Sequence, residues 1–175
     1  MRDAAMLELF YATGARISEL SHIDIADFDW TTKTVRLFGK GSKERIVPVY
    51  RRALDTTHTY IDDARPLLVR ASSDSAAMKR ADGPLFLSTR GNRMDANALR
   101  YRFHKLCREA GLPADITPHV MRHTFATDLL AGGADLRSVQ ELLGHASLST
   151  TTLYTHLTPD RLKSAVMQAH PRADA

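Results

Sequence analysis

The chain has 175 residues, 43% of them apolar, and 24 Lys and Arg against 20 Asp and Glu give a net charge of +4. That length supports one domain with a genuine core, and no run approaches the roughly 18 apolar residues of a membrane helix. Arg2, Asp3 and Glu8 interrupt the first apolar pattern, so a signal or transit peptide is not expected there. Cys107 is the only cysteine. It excludes an intramolecular disulfide framework and leads to the expectation of a reducing, cytoplasmic setting, with the thiol buried and structural. The sequence pI of about 9.4 leans toward an anionic partner, although charge alone does not decide for nucleic acid.

Residues 2–12 spell a helix with Ala5, Met6, Leu9 and Phe10 on one face and Gly14 as its stop. A short helix is predicted from Ile17 to His22. Alternation in Thr34–Phe38 and Arg45–Val49 predicts two strands, and the glycine-bearing turn Gly39-Lys40-Gly41-Ser42-Lys43 joins them as a hairpin. Helix resumes around 51–64, and the small polar residues 71–83 read as a surface loop. The apolar run 84–87 leads into a turn at Arg90-Gly91-Asn92-Arg93, then a helix from Asp95 to Ala110 with Gly111 at its end. Thr117 caps the next helix with Pro118 at its first position and Gly132-Gly133 beyond its last turn. Asp135 caps another that ends at Gly144. A short helix is expected around Tyr154, and Thr158-Pro159 opens a final one to Ala169. The pattern predicts a mainly α chain with one small antiparallel sheet, an α+β fold, with no internal repeat and no linker dividing it.

Several polar residues stand where chemistry is possible. Arg16 falls between one helix stop and the next helix start, where it can fork onto a phosphate bidentately or pair with Glu19 three residues on. Lys40 and Lys43 share the hairpin tip, where either can deliver an ammonium to a ligand or remain a solvated surface charge. His119 and Arg122 project from one face near a helix N-terminus, a place that favours an anion. His123 can serve instead as a core or capping histidine. His145 follows Gly144 at a backbone turn. Tyr154 lies in a polar stretch beside Thr155 and His156, and can be a half-buried packing residue or a nucleophile. As a nucleophile its phenol, with an ordinary pKa of about 10, must lose a proton near cations that stabilise the attacked phosphate.

Arg16, Lys40, His119, Arg122, His145 and Tyr154 occur in the order and context of the tyrosine recombinase, or phage integrase, family. The blocks Thr13-Gly14-Ala15-Arg16-Ile17-Ser18-Glu19-Leu20, Gly39-Lys40-Gly41-Ser42-Lys43-Glu44-Arg45, His119 to His123 and Leu142-Leu143-Gly144-His145-Ala146-Ser147 to Tyr154 carry the resemblance. It covers nearly the whole chain and implies that family's catalytic-domain fold. The ending His170-Pro171-Arg172-Ala173 resembles the bacterial Xer branch, which resolves chromosome dimers. Mobile-element and phage integrases share much of the pattern and remain the alternative.

The resemblance implies that Tyr154 attacks a DNA phosphorus to give a 3′-phosphotyrosyl link and a free 5′-hydroxyl. By the same likeness, Arg16 and Arg122 clamp the non-bridging oxygens, His119 assists removal of the phenol proton, and His145 hydrogen-bonds the phosphate. Lys40 protonates the departing 5′ oxygen, and Glu19 supports Arg16. Neither metal, ATP nor other cofactor is expected. The implied partner is double-stranded DNA, bound by a homo- or hetero-tetramer that can include a second related recombinase, with no membrane partner. DNA contacts are expected from the basic hairpin (Lys33, Arg36, Lys40, Lys43, Arg45) and from Arg90, Arg93, Arg100 and Arg102. Residues 1–175 are expected to form a single catalytic domain without the N-terminal helical clamp that family members carry. The helix over 158–170 presents Leu162, Ala165, Val166 and Ala169 on one stripe, which can fold back on its own domain or dock on a neighbouring protomer. Competing readings are a type IB topoisomerase that relaxes one strand, a non-catalytic DNA-binding module, and a metal-dependent nuclease built on the histidines.

Overall fold

The computed structural model describes residues 1–39, 44–72, 83–144 and 159–173. Within them the chain runs α1 (Arg2–Thr13), α2 (Ile17–His22), a 3-10 turn (Ile25–Asp27), β1 (Phe28–Asp29), β2 (Thr34–Phe38) and β3 (Glu44–Pro48). It continues through α3 (Arg51–Thr59), a π turn (Tyr60–Ala64), α4 (Arg65–Val69), α5 (Ala96–Glu109), α6 (Pro118–Ala131), α7 (Leu136–Leu143) and α8 (Pro159–Ala169). The described residues are therefore mainly helical, with one antiparallel sheet among them in the order β1-β2-β3.

Capping chemistry sets most helix boundaries. Asp95, Thr117 and Asp135 each accept the N–H three residues on, from Ala98 at 2.7 Å, Val120 at 3.3 Å and Ser138 at 2.9 Å. Each such cap stabilises its helix by about 1 kcal/mol. Two features depart from the sequence pattern. The sheet has a third strand, β1, only two residues long and paired as Phe28↔Val35 and Asp29↔Thr34. The helix begun at Arg51 also does not stop at 64: it widens into the π turn, where Arg65 N–H reaches back five residues to Tyr60 O, and continues to Val69. Pro66 supplies the reason, because its missing N–H breaks the regular ladder and the wider turn re-registers the helix around it.

The core gathers around α1, which packs on α3 and α6. Phe10 meets Phe103 of α5 edge-to-face at 5.9 Å, and Tyr50, Tyr60, Phe86 and Phe125 are fully enclosed. Side chains of this size are worth about 1.5–3 kcal/mol each when removed from water. Cys107 is buried in the same core, and burial pushes its thiol pKa up. The stripe Leu162, Val166 and Ala169 of α8 is buried against α6 and β3 of its own chain. Among the described residues no helix is long and apolar enough to cross a membrane. Residues 73–82 of the loop expected over 71–83, and the short helix expected around Tyr154, lie outside the described residues.

Candidate active site

Gly14 brings the first functional element into place. It ends α1 in the left-handed conformation (φ 55°), and a Cβ there would fall 2.3 Å from the Phe125 ring. Only glycine lets the end of α1 close onto α6 this tightly. Two residues later Arg16 caps α2, and the Glu19 carboxylate reaches back to it. Oε2 accepts the Arg16 backbone N–H at 2.7 Å and Oε1 accepts Arg16 Nη1 at 2.9 Å. The Glu19 side chain is 2% exposed whereas that of Arg16 is 45% exposed. The Arg16–Glu19 pair thus forms, yet it leaves much of the guanidinium open to a ligand.

Arg45 comes to the same carboxylate from the sheet. The register Val35↔Val47, Leu37↔Arg45 and Arg36↔Ile46 sets Arg45 on the inner face with buried Leu37, Val35 and Val47, since directly opposed residues share a face. From there Nη1 and Nη2 fork onto Glu19 Oε1 and Oε2 at 2.9 and 2.8 Å, and Nε donates to Leu142 O at 2.6 Å. Burial acts to raise the Glu19 pKa. The hydrogen bonds from Arg45 and from the Arg16 backbone, with the Arg45 charge, outweigh it and hold the carboxyl below its ordinary range.

Arg122 completes the group. It lies on α6, buried, with Nη1 donating to Gly14 O and Nη2 to Leu143 O, both at 2.5 Å. Leu142 and Leu143 are the last residues of α7, whose carbonyls have no partner within the helix and carry the negative end of its dipole. The C-terminal end of α7 thus cradles two guanidinium groups. Burial, together with the Arg16 and Arg45 charges and against the pull of Glu19, pushes the Arg122 pKa down to about 10, so it stays cationic at neutral pH. His119 stands one turn earlier on α6, exposed near the helix start.

The structure therefore brings together Arg16, Glu19, Arg45 and Arg122, three cations around one carboxylate, with His119 on the adjoining turn. Two of the cations are held by backbone carbonyls before any ligand arrives, a preorganised field for an anion. Lys40, Lys43, His145 and Tyr154 lie outside the described residues, although Gly144, whose next residue is His145, is described and left-handed (φ 64°). The other cations are dispersed. Arg36 is on the outer sheet face, 3.2 Å from Asp27 and over the Phe38 ring. Arg93 pairs with Asp24 and donates to Ser21 O at 3.2 Å, and Arg102 pairs with Asp3. Arg100 donates to Asn97 Oδ1 at 2.9 Å, and Lys33 and Arg90 are exposed.

The sequence alone groups Arg45 with Lys33, Arg36, Lys40 and Lys43 as a basic hairpin, whereas its side chain turns to the inner face. A period-two count would have separated it, because Arg45, Val47 and Val49 fall on one face and both valines are buried.

Against known families, the model described as "Phage integrase family" matches residues 1–161. The chain belongs to the phage integrase family. Among relatives, "Tyrosine recombinase XerC" of Bifidobacterium longum (strain DJO10A) is 49% identical over 172 residues, covering 98% of this chain and 48% of that protein. This member of the integrase family thus spans about half the length of the curated relatives it matches. Among solved structures, XerA recombinase superposes with a TM-score of 0.71 at 33% identity, over 98% of this chain and 59% of that one. XerH site-specific recombinase, in a pre-cleavage complex with its difH substrate, gives 0.68 at 30% identity, over 94% of this chain and 46% of that one.

Proposed function

We propose that this chain is the catalytic unit of a site-specific tyrosine recombinase that cleaves and rejoins DNA strands through a 3′-phosphotyrosyl intermediate, in an Xer-like role resolving chromosome dimers. The observation that carries the reading is the convergence of Arg16 and Arg45 on the Glu19 carboxylate with Arg122 within electrostatic reach of all three, leaving positive charge in excess on the turn next to His119. The kinship with recombinases named Xer supports it. Tyr154, Lys40 and His145 enter through the family motifs.

In the reaction, the Tyr154 phenolic oxygen bonds to the scissile phosphorus and the bond from phosphorus to the 5′ oxygen breaks. His119 assists loss of the phenol proton, and Lys40 gives a proton to the 5′ oxygen, which departs as a hydroxyl. Arg16 and Arg122 receive the charge that grows on the non-bridging oxygens, with His145 as a further donor. Glu19 holds the Arg16 backbone and side chain in place. Attack by a 5′-hydroxyl of another strand reverses these steps and frees Tyr154, so exchange needs no nucleotide hydrolysis. The working form is a tetramer on double-stranded DNA, in the cytoplasm, with identical or related partner protomers. Lys33, Arg36, Lys43, Arg90, Arg93, Arg100 and Arg102 contribute backbone contacts to that DNA.

The test is covalent capture. Nicked duplexes with randomised half-sites lose the short strand after cleavage and leave protein bound to DNA on a denaturing gel. The protein is expected to form this adduct with EDTA present, and Tyr154→Phe to form none. A Tyr154→Phe protein that still traps DNA would falsify the assignment of the nucleophile. Strand-exchanged product from intact duplexes separates recombination from relaxation alone.

A further inference from the structure

The role of Arg45 is not that of an ordinary basic residue on a DNA-facing hairpin. Its side chain is 10% exposed against 46% for Arg36 on the opposite face. It uses Nε, Nη1 and Nη2 together, two on the Glu19 carboxylate and one on Leu142 O. Glu19 in turn receives four donors, two from Arg16 and two from Arg45. The chain then leaves α7 at Gly144, where a Cβ would sit 3.2 Å from Arg45 Nη1, so the guanidinium also packs under that turn.

We propose that Arg45 is a positioning residue for phosphate capture. By occupying one side of the Glu19 carboxylate, it keeps that negative charge from closing wholly on Arg16, which therefore stays available to an incoming phosphate. By holding Leu142 O beside the Leu143 O that Arg122 holds, it also fixes the end of α7 against α2. Lysine cannot substitute, because one ammonium cannot fork onto both carboxylate oxygens and reach Leu142 O together. Arg45 touches no DNA in this role; it acts through Glu19 and Arg16. The proposal rests on the recombinase reading.

The test measures single-turnover adduct formation and equilibrium binding on the same nicked duplex, with thermal melting as the control for folding. Arg45→Gln is expected to slow adduct formation about 10- to 100-fold, the scale of a misplaced reacting group. DNA affinity should change by less than about threefold, because no phosphate contact is removed. Arg45→Lys should recover little of the rate. Adding Glu19→Gln to Arg45→Gln should restore several-fold, since no uncompensated carboxylate is left to neutralise Arg16.

A folded Arg45→Gln protein that cleaves at the wild-type rate overturns the proposal, as does one whose loss lies wholly in DNA affinity. A double variant no faster than Arg45→Gln alone does the same. If Arg45→Gln does not fold, Arg45→Lys decides, and full activity in it sinks the idea. A wild-type protein that forms no adduct overturns the recombinase reading and this inference with it.

Discussion

The Glu19 network and the Glu8 network are both built from arginines reaching over a shielded carboxylate, yet only the first is left with cationic charge in excess. Around Glu19 stand Arg16, Arg45 and Arg122. Around Glu8, Arg52 lies at 3.2 Å and Arg172 at 2.6 Å, Tyr50 donates its hydroxyl at 2.6 Å, and nearby Asp128 accepts the Tyr11 hydroxyl at 2.7 Å. Two carboxylates there meet two guanidiniums, and the balance closes. The consequence shows in the phenols. Burial, then hydrogen bonding to Asp128, pushes Tyr11 up to about 12, and burial with Glu8 pushes Tyr50 up as well. A phenol held among carboxylates keeps its proton and makes a poor nucleophile. Under the proposed reaction the attacking tyrosine works beside the Glu19 network, where surplus positive charge favours the phenolate.

The strongest way to break this contrast is to remove charge from the first network. Arg122→Gln withdraws donors from Gly14 O and Leu143 O. Orphaned buried acceptors cost about 1–3 kcal/mol each, so a lower melting temperature is expected. Adduct formation should fall further, by about 10²–10³-fold, as when a preorganised donor is deleted. If Arg122→Gln melts lower but cleaves at the wild-type rate, the excess charge is structural and the contrast has no catalytic meaning.

Glu8→Gln is the matching change in the balanced network. It removes the charge that Arg52 and Arg172 share while leaving Tyr50 an acceptor. Partly exposed pairs of this kind are worth roughly 0.2–1 kcal/mol each, so a modest drop in melting temperature is expected. The adduct rate well below that temperature should stay within about twofold, because Glu8 lies outside the cluster of Arg16, Glu19, Arg45 and Arg122. Equal losses of rate in the two variants would show that the networks work as one unit.

Local chemistry made most of this legible beforehand. Gly14, Thr117-Pro118, Asp135 and Gly144 mark helix ends because a cap or a left-handed turn needs those residue types, and the observed boundaries follow them. The hairpin followed from alternation. β1 did not, since two residues carry no period and their pairing depends on Val35 and Thr34 across the turn. The pattern over 51–64 gave no sign that the helix runs on past Pro66, because the π turn that absorbs the proline has no sequence period of its own. In the site, Arg16 with Glu19 was readable from a spacing of three. The partnership of Arg45 with Glu19 joins residues 26 apart, and that with Leu142 joins residues 97 apart. No local pattern encodes such contacts; they appear once sheet and helices close on α1. The tie of Arg122 to two helix ends was hidden for the same reason, because backbone carbonyls leave no mark in a sequence.

The smallest expected effect separates the two networks by pH. His170 is buried against Tyr11 and Tyr50, with ring centroids 4.8 Å from each, and its Nε2 lies 3.3 Å from Tyr11 O. Burial, against the opposing pull of Tyr11 O, Asp128 and Glu8 and with the help of Arg172, holds its pKa below the usual imidazole value. A group depressed in the folded state contributes stability that is full above its unfolded pKa, about 6.5, and is lost as pH falls through the folded value. Glu19 is also depressed, but its unfolded reference is about 4.3, so its contribution fails only in stronger acid. Acidification should therefore loosen the α8 end first and the arginine cluster later. Thermal melts from neutral pH to pH 4 should show a decline beginning near 6 that His170→Gln flattens, while Glu19→Gln lowers the curve throughout and flattens the steeper fall below about 4.5. A wild-type curve that stays level until the carboxylates titrate would mean that His170 charges without leaving its cage, and the α8 end would then be as acid-resistant as the site.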